Sequence, residues 1–411
     1  MKKLNVFLNT RPGEKRVVGQ LALSNNRIFF EYDASFLLKP VWLSPFKLPP
    51  EPGLKENPDK ALGNLFGLFN DSLPDGWGLL LMDRFLRKKG VDVSGLTSID
   101  RLAFLGTSTM GALTYEPVFD YEKEVAAEFD LHDLATQSRQ ILDGETETVL
   151  PQLMRAGGSP GGARPKVLAG VCDDRIISGE ENLPDEFQHW IIKFGSENDF
   201  NDSGTVEYAY SMMARDAGID MTETRLFKTN EGDHFFGIRR FDRDNNRRFH
   251  VHTFGNIIHA DFRIPSTDYS DFFKVIKILT KNHEDVVRGF RQMIFNILAN
   301  NRDDHVKNVA FMIDGNEEWR LTPAYDLTFS DGPGGEHSMT VMGEGKSPAR
   351  NDITAIGREA GLANTEIKKC IDQVIAAVKN WQENAQAAGV SDKSTYIVEA
   401  KITETIANIM K

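Results

Sequence analysis

The stretch NNRDDHVKN, residues 300–308, concentrates acids, amides and cations directly behind an apolar segment. Asp303 and Asn308 lie five positions apart, and Asp326 follows a second apolar segment in LTPAYDLTFS. If the neighbouring apolar segments form the two strands of a hairpin, Asn308 and Asp326 meet at one end of it. Mg²⁺ accepts such sparse oxygen ligation when phosphates and waters fill its other positions. The spacing therefore predicts a magnesium site held by Asn308 and Asp326.

The same stretch carries the other groups that phosphoryl transfer requires. Asp303 is placed to accept the proton of an attacking hydroxyl or to orient that hydroxyl. Lys307 could neutralise developing charge, and His305 could donate to a phosphate or brace the turn. Taken singly, such residues most often cap helices or bond to the backbone of turns. Their joint pattern with the later Asp326 favours phosphoryl transfer.

A glycine-rich segment, GGSPGGARPK, precedes two apolar segments that are typical of strands. Glycines allow close backbone approach, and free N–H groups in such a loop can cradle phosphate oxygens. The segment is not a Walker A loop, because Gly162 is followed by Ala163 and not by Lys-Ser/Thr. A flexible linker has the same composition. The glycines concerned are Gly157, Gly158, Gly161 and Gly162.

Lys193 interrupts the otherwise apolar strand segment HWIIKF. A lysine on such a strand needs a partner, since an unpaired buried charge is costly. A nucleotide phosphate is one candidate, and Glu207 on the next predicted helix is another. The alternative is a lysine that lies on an edge strand and extends its ammonium group to water.

Two further clusters give weaker signals. FHVHTFGNIIH places His250, His252 and His259 close in sequence, but no carboxylate falls at a recognisable metal-ligand spacing. Alternating histidines of this kind are typical of a strand surface. The loop DGPGGEHSMTVMGEGK could cover a site or contact a partner, and the sequence does not decide between these roles.

The order of elements predicts an α+β chain. Strands such as KLNVFLNT and KRVVGQLAL, the helices DGWGLLLMDRFLRKKG and TSIDRLAFLG, and the strand GALTYEP form a small β+α domain at 1–118. DLHDLATQSRQILDGE is a helix within a connecting segment at 119–149. Residues 150–245 contain the glycine-rich loop, strands and one helix. Residues 246–411 are mainly helical, with strands at VAFMID and WRLTPAYD.

The composition limits the classes of function. A chain of 411 residues predicts two or three domains, and 40% hydrophobic with 26% charged residues is typical of a soluble globular protein. The net charge of −12 disfavours autonomous nucleic-acid binding. Cys172 and Cys370 alone cannot form a disulfide framework or a cysteine zinc site, and they fit a reducing cytoplasm. The start MKKLNVFLNT is predicted to be a strand and not a signal peptide, and no stretch is long enough for a membrane span.

The ordered segments SPGGARPK, HWIIKF, FFGIRRFDR, NRDDHVKN and PAYDLTFS resemble the HipA family of bacterial serine/threonine kinases, which are toxins of type II toxin–antitoxin systems. The likeness extends to VGQLALSNNRIFFEYD, NLFGLFNDSLPDGWG and LTSIDRLAFLGTSTMGALTYEP, and so covers nearly the whole chain. It implies a HipA-type N-terminal domain followed by a bilobal, protein-kinase-like fold whose N-lobe is 150–245 and whose helical C-lobe is 246–411.

The resemblance implies a role for each matching residue. Asp303 matches the catalytic aspartate, and Asn308 and Asp326 match the magnesium ligands. Lys193 matches the lysine on an ATP phosphate. The residues that match the adenine hinge are Arg239, Arg240 and Phe241, and those that match the turn over the phosphates are Gly161, Gly162, Ala163, Arg164 and Lys166.

Ser159 lies where the family's autophosphorylated serine is found. Its phosphorylation is expected to eject the glycine-rich loop and silence the kinase, because a dianionic phosphoserine favours another loop position. Two departures from the family pattern are present. Pro160 restricts the loop backbone after Ser159. Asp304 stands where a small residue is common, and an extra carboxylate there could raise local affinity for protons or metal.

The implied function is an ATP- and Mg²⁺-dependent serine/threonine protein kinase that inhibits growth. The implied target is an aminoacyl-tRNA synthetase such as the glutamyl enzyme. The implied partner is a small helix-turn-helix, HipB-like antitoxin, with DNA contacted only through that partner and no membrane association. Two alternatives stay open: a catalytically weak co-repressor scaffold, and a phosphotransferase that acts on small molecules such as sugars or aminoglycosides.

Overall fold

The protein, seen in a computed structural model, forms two compact units. The first comprises Met1–Ser196, Phe227–His252 and Asn256–His259, and the second comprises Glu197–Leu226, Thr253–Gly255 and Ala260–Lys411. The structure describes residues 2–118, 130–146, 149, 152–154, 161–179, 182–195, 200 and 202–410.

The candidate modification site Ser159 lies outside the described residues, as do Pro160, Gly157 and Gly158. The described part of the glycine-rich loop therefore begins at Gly161.

A five-stranded sheet opens the first unit, in the order β4-β3-β2-β1-β5, and all its pairs are antiparallel. The turn between β2 and β3 has two left-handed residues, Asn25 at φ +50° and Asn26 at φ +58°. Asparagine tolerates this conformation, and it matches the twist of a hairpin. The strands are β1 Lys2–Arg11, β2 Glu14–Ser24, β3 Arg27–Tyr32, β4 Lys55–Glu56 and β5 Leu113–Glu116.

Within the described residues up to 146, the chain also forms five α-helices. The predicted amphipathic helix appears as α3, which begins after Asp75 and ends at Lys88, close to Gly90. The helix α4 begins with a capping box formed by Thr97 and Asp100. The five helices are α1 Ala34–Leu38, α2 Gly67–Asn70, α3 Gly76–Lys88, α4 Ser98–Leu105 and α5 Leu131–Leu142.

A second five-stranded sheet follows, in the order β7-β6-β8-β10-β9. Its strands confirm those predicted from KVLAGVC, HWIIKF, TRLFKT and HFFGIRRFD. A short hairpin, β11–β12, comes next. The strands are β6 Lys166–Cys172, β7 Arg175–Ser178, β8 Gln188–Lys193, β9 Thr224–Lys228, β10 His234–Arg239, β11 Arg243–Asp244 and β12 Arg247–Arg248.

Lys193 lies at the end of β8, which is paired on both sides, by β6 and by β10. The alternative that placed this lysine on an edge strand is therefore wrong. Only 8% of the residue is exposed.

Helices dominate the chain after residue 250, as predicted. The second unit packs them around aromatic side chains such as Phe272, Phe290 and Trp381. One of these helices begins at Asn364, with Ala363 as its N-cap. From residue 203 onward, the helices are α6 Ser203–Asp216, α7 Phe254–Ile258, α8 Tyr269–Thr280, α9 His283–Leu298, α10 Arg350–Glu359, α11 Asn364–Lys379, α12 Trp381–Ala388 and α13 Asp392–Met410.

Short strands interrupt these helices. β15 and β16 form the predicted antiparallel hairpin, in which Phe311 pairs with Leu321. The second of these strands is shorter than WRLTPAYD suggested, since it ends at Leu321. The strands are β13 Val251–Thr253, β14 Thr267–Asp268, β15 Ala310–Ile313, β16 Trp319–Leu321 and β17 Met339–Thr340.

The mixture of sheets and helices confirms the α+β class. Cys172 and Cys370 are both free thiols, as expected. Among the described residues, no helix combines the length and the apolar character that crossing a bilayer would require.

Candidate active site

The stretch 300–308 is a turn between α9 and β15, anchored in the core of the second unit. Asn301 donates its main-chain N–H to the oxygen of Asn296 at 2.9 Å, and its side-chain amide donates to the Asn296 side chain at the same distance. The Asn296 side chain in turn donates to the Tyr269 hydroxyl at 3.0 Å. Asn300 is left-handed at φ +52°, a conformation that asparagine adopts at low cost. The helix thus delivers the chain into a fixed turn.

Within this turn, Asp303 is exposed and Asn308 is buried. The Asn308 side-chain N–H donates to the main-chain oxygen of Asp303 at 2.6 Å, and its main-chain N–H donates to the oxygen of His305 at 2.8 Å. The side-chain bond uses the amide nitrogen, so the amide oxygen is the Asn308 atom suited to a metal. The turn therefore fixes the spacing of Asp303 and Asn308.

Asp326 lies on a segment that runs beside this turn. The segment is attached at its start, where the Thr322 N–H donates to the Ala310 oxygen at 3.1 Å. It is attached at its middle, where the Tyr325 hydroxyl donates to the Lys307 oxygen at 2.6 Å. At its end, the Ser330 N–H donates to the Asn300 oxygen at 3.0 Å, and the Arg302 N–H donates to the Ser330 oxygen at 3.1 Å.

Asp326 itself is half-buried and left-handed at φ +57°. A non-glycine residue in this region is uncommon, and such residues concentrate at functional sites. The hairpin and its extension bring Asp303, Asn308 and Asp326 onto two adjoining segments, as the sequence suggested. Their roles as proton acceptor and metal ligands stay predictions.

His305 and Lys307 share a neighbour, Phe262. The Lys307 ammonium lies 4.7 Å from the centre of the Phe262 ring, and the His305 ring lies 5.3 Å from it. The His305 Nδ1 accepts the Lys307 main-chain N–H at 3.2 Å. This geometry favours the bracing role for His305.

Asp304 points into the protein and not toward the exposed side of the turn. It is 1% exposed and accepts hydrogen bonds from the Tyr269 hydroxyl at 2.8 Å, His337 Nδ1 at 3.0 Å and the Ser338 N–H at 2.8 Å. Burial raises the pKa of Tyr269 well above its ordinary value, and the charge of Asp304 raises it further. Asp304 therefore anchors the turn. Its oxygens face buried donors, so the geometry does not favour the role in metal affinity that was expected for this carboxylate.

The loop DGPGGEHSMTVMGEGK, residues 331–346, is bonded to the same turn. Arg302 donates to the main-chain oxygens of Gly335 and Lys346. The Ser338 hydroxyl donates to the Arg302 oxygen at 3.1 Å. Asp303 is thus flanked by two residues, Arg302 and Asp304, that both hold this loop.

The candidate phosphate-binding residues lie in the first unit. In the register of β6 and β8, Lys166 stands directly opposite Lys193, so both side chains are on one face of the sheet. Both residues are buried. The Lys166 ammonium donates to the Gly161 oxygen at 2.7 Å. Two neighbouring cations of this kind favour an anion close by. Ala163 and Arg164 complete the turn that leads into β6.

The candidate hinge follows β10. Arg239 is exposed and Phe241 is half-buried, whereas Arg240 is buried. The Arg240 guanidinium donates to both oxygens of Asp242, at 2.9 and 2.8 Å. Any contact of Arg240 with adenine would therefore use its main chain. The candidate residues thus form two groups, one in each unit.

The prediction that His250, His252 and His259 belong to a strand surface is wrong, since all three are buried. His250 Nε2 bonds to the Leu43 oxygen at 2.8 Å, and His252 bonds to the Asp71 carboxylate. Burial lowers the pKa of His250 and of His259 to about 4. The two-residue spacing of His250 and His252 was visible in the sequence, but the partners of both are distant in sequence.

Among the described residues, one group of side chains that could hold a metal ion was not found from the sequence. His132, Glu231 and Asp233 have ligand atoms within 4.8 Å of one another. The His132 Nδ1 lies 2.6 Å from an Asp233 oxygen, and this hydrogen bond raises the pKa of His132. About a hundred residues separate the partners, so no local spacing could reveal the group.

Comparisons with known proteins assign both parts of the chain. Residues 4–116 match the HipA N-terminal domain, and residues 158–381 match the HipA-like C-terminal domain. The protein Y4dM of Sinorhizobium fredii, provisionally named a kinase, is 25% identical over 239 residues. A Haemophilus influenzae protein with a similar provisional name is 25% identical over 194 residues. These alignments cover 53% and 44% of this chain, and 55% and 54% of the two relatives, so the chain spans about half the length of the curated relatives it matches.

A solved structure matches over nearly the full length. It is HipA of Shewanella oneidensis MR-1, from a toxin–antitoxin complex with HipB and operator DNA. Its TM-score is 0.72 at 15% identity, with 98% of this chain and 96% of that chain covered. The two share the fold. Since the two family models together cover most of the sequence, the chain belongs to the HipA family.

Proposed function

We propose that this chain is a serine/threonine protein kinase that uses ATP and Mg²⁺. The observation that carries the proposal is the joined pair of segments that hold Asp303, Asn308 and Asp326. An exposed carboxylate, an amide oxygen and a second carboxylate form the oxygen donor set that phosphoryl transfer requires. The provisional naming of two relatives as kinases supports the same conclusion.

The residues present fit a magnesium ion. Asn308 and Asp326 would hold it, and the ion would neutralise charge on the phosphates. Asp303 would accept or orient the proton of the attacking hydroxyl, since it is the exposed acid of the turn. Asp304 takes no part in this chemistry, because its oxygens are occupied by buried donors.

Lys166 and Lys193 support ATP as the phosphate donor. Their side chains share one face of the sheet, and a triphosphate is the anion that such a cationic pair would bind. Gly161 and Gly162, next to Lys166, would let the backbone approach the phosphates closely. The hinge at Arg239–Phe241 would contact the adenine.

The biological role is proposed by family membership. The kinase would act in the cytoplasm as a growth-inhibiting toxin, with an aminoacyl-tRNA synthetase such as the glutamyl enzyme as its target. The solved HipA neighbour is complexed with HipB and operator DNA. We infer a HipB-like antitoxin partner for this chain, with DNA contacted through it. Autophosphorylation at Ser159 would silence the kinase.

Transfer of labelled γ-phosphate from ATP tests this function. The protein is incubated with Mg-ATP and a bacterial lysate, and in parallel with sugars and aminoglycosides. Label on serine or threonine of a lysate protein, lost in Asp303→Asn, is the expected result. Label on a small molecule would instead favour the small-molecule phosphotransferase. No transfer to either class, despite nucleotide binding, would favour the co-repressor scaffold.

A further inference from the structure

Two nucleotide-binding elements of the proposed kinase are joined to the N-terminal domain, residues 4–116, one directly and the other through the residues that follow it. We propose that this domain positions the turn at Gly161–Lys166 and the hinge at Arg239–Phe241 for ATP, with Asp75 as a positioning residue. The inference rests on the proposed function and deepens it, because it assigns nucleotide affinity in part to a domain outside the kinase lobes.

The first contact is at the beginning of α3. Asp75 is the N-cap residue of this helix, yet its carboxylate makes no capping bond to the helix. It accepts the main-chain N–H of Gly162 instead. The Trp77 N–H donates to the Gly162 oxygen at 3.0 Å, and the Trp77 indole N–H donates to the Lys166 oxygen at 3.2 Å. Residues 75–77 therefore bind both main-chain polar groups of Gly162.

An N-cap aspartate ordinarily stabilises its own helix by accepting N–H groups of the first turn. Asp75 makes no such bond and instead bonds to the turn at Gly161–Lys166. Asp75 is also buried, although its side chain is an ionisable carboxyl group. A buried carboxylate that holds a neighbouring loop is a costly arrangement, and it fixes where that loop lies.

Gly76 allows the close approach that these bonds need. A Cβ atom on Gly76 would lie 2.7 Å from the Ala163 Cα and 2.7 Å from the Gly162 oxygen. Gly76 also has a positive φ of +41°, a backbone conformation that residues with a side chain rarely adopt. The backbone of the N-terminal domain is therefore in direct contact with the backbone of the turn.

The second contact is at the residue after the hinge. Asp242 is 2% exposed and accepts the Gly111 N–H at 2.8 Å. Arg243 donates to the Gly111 oxygen at 3.1 Å and to the Thr109 oxygen at 3.0 Å. Arg248 donates to the oxygens of Thr107, Thr109 and Gly111 at 2.9 to 3.0 Å.

This second contact is a buried network of charged side chains. Burial alone would raise the pKa of Asp242, but Arg240 and Arg243 hold it well below its ordinary range. Removal of one partner from such a buried network leaves an uncompensated charge, which is strongly destabilising. The segment 107–111 is thus fixed to the hinge, while residues 75–77 are fixed to the turn. One domain sets the positions of both elements.

The test uses the full chain and the variants Asp75→Ala and Asp75→Asn, with Asp92→Ala as a matched control. Asp92 is an exposed aspartate of the same domain, and within the part of the chain that the structure describes its carboxylate bonds to Ser94 of its own turn. The dissociation constant of Mg-ATP, KM for ATP, kcat and the melting temperature are measured for each protein.

We expect Asp75→Ala to raise the dissociation constant and KM for ATP about tenfold, the usual size of one lost charge-assisted bond. The kcat value at saturating ATP should stay within about twofold, since Asp303 and its neighbours are unchanged. Asp75→Asn should raise both values less than Asp75→Ala, because its amide oxygen still accepts the Gly162 N–H but without the charge. Gly76→Ala, compared with Gly95→Ala, provides a second and independent perturbation of the same contact. A Cβ on Gly95 would meet no atom within 4 Å.

Unchanged ATP affinity in Asp75→Ala and Gly76→Ala would overturn the inference and leave the proposed kinase intact. A lower kcat together with a lower melting temperature, without a selective change in ATP affinity, would also overturn it, because the contact would then serve the fold alone. A wild-type protein that binds no Mg-ATP and transfers no phosphate would instead refute the proposed function.

Discussion

Asn308 donates its side-chain N–H to the main-chain oxygen of Asp303 at 2.6 Å. The bond joins the residue predicted to bind metal to the residue predicted to handle the substrate proton. It leaves the Asn308 amide oxygen for a cation, so one side chain can fix the turn and hold the ion at the same time. This double use explains why an asparagine suits the position better than an aspartate.

Asn308→Asp should separate these two uses. A carboxylate keeps a metal-binding oxygen but cannot donate to Asp303. We expect kcat to fall about 10- to 100-fold through lost positioning, while the Mg²⁺ concentration for half-maximal activity changes less than about threefold. Asn308→Ala should impair both quantities. Identical Mg²⁺ titrations for the two variants would show that Asn308 is not a ligand.

Asp304→Ala should act mainly on the stability of the fold, because Asp304 is not one of the proposed reacting groups. It leaves the Tyr269 hydroxyl, His337 and the Ser338 N–H without their acceptor, in a buried site. The free energy of unfolding should fall by about 3 kcal/mol, measured by urea denaturation. The control Asp271→Ala removes only an exposed ion pair with Lys274 and should cost less than about 1 kcal/mol. Equal losses in the two variants would contradict the anchoring role of Asp304.

Lys166→Met and Lys193→Met should each weaken Mg-ATP binding by about 1.5–3 kcal/mol, the size of a charge-assisted bond to phosphate. The two lysines stand opposite each other, so their effects should not add in the double variant. The measurement is the rise in melting temperature on adding Mg-ATP. Lys228→Met, on the exposed end of β9, is the control and should keep the wild-type rise. If Lys166→Met and Lys193→Met both kept the wild-type rise in melting temperature, the phosphates would have to bind elsewhere.

Stability should fall on acidification partly through His250. Burial holds the pKa of this histidine at about 4, whereas an unfolded histidine has a pKa of about 6.5. Between these values the unfolded chain binds more protons than the folded one, so stability is lost as the pH falls from about 6.5 to 4. At pH 5 the contribution is roughly 2 kcal/mol.

His250→Gln should flatten this part of the pH profile. Glutamine can still donate to the Leu43 oxygen but does not titrate. The free energy of unfolding at pH 7 and pH 5 is compared for both proteins. An unchanged difference between the two pH values would show that His250 is not buried as a neutral group.

The sequence predicted much of the fold because its signals are local. The strand alternation around Val6, the amphipathic spacing of α3 and α9, and the turn at Asn25–Asn26 each depend on residues a few positions apart. The order of motifs also identified the family. The hairpin that joins the segment of Asn308 to the segment of Asp326 was within reach for the same reason, since both strands lie close together in the chain.

The contacts that position the site could not be predicted in this way. Asp75 binds Gly162, 87 residues away, and Asp242 binds Gly111 at a separation of 131 residues. No periodicity marks such pairs. The error over His250 has the same origin, because its partner Leu43 lies 207 residues earlier. A polar residue on a strand is interpreted as exposed unless its distant partner is known.

The measurement that tests the central claim most directly is the intact mass of phosphatase-treated protein after incubation with Mg-ATP. The wild type is compared with Asp303→Asn, Ser159→Ala and the exposed control Asp392→Asn. We predict the gain of one phosphate in the wild type and in the control, and no gain in the other two variants. A wild-type protein that binds Mg-ATP and yet gains no phosphate, or an Asp303→Asn protein that gains as much as the wild type, would contradict the account.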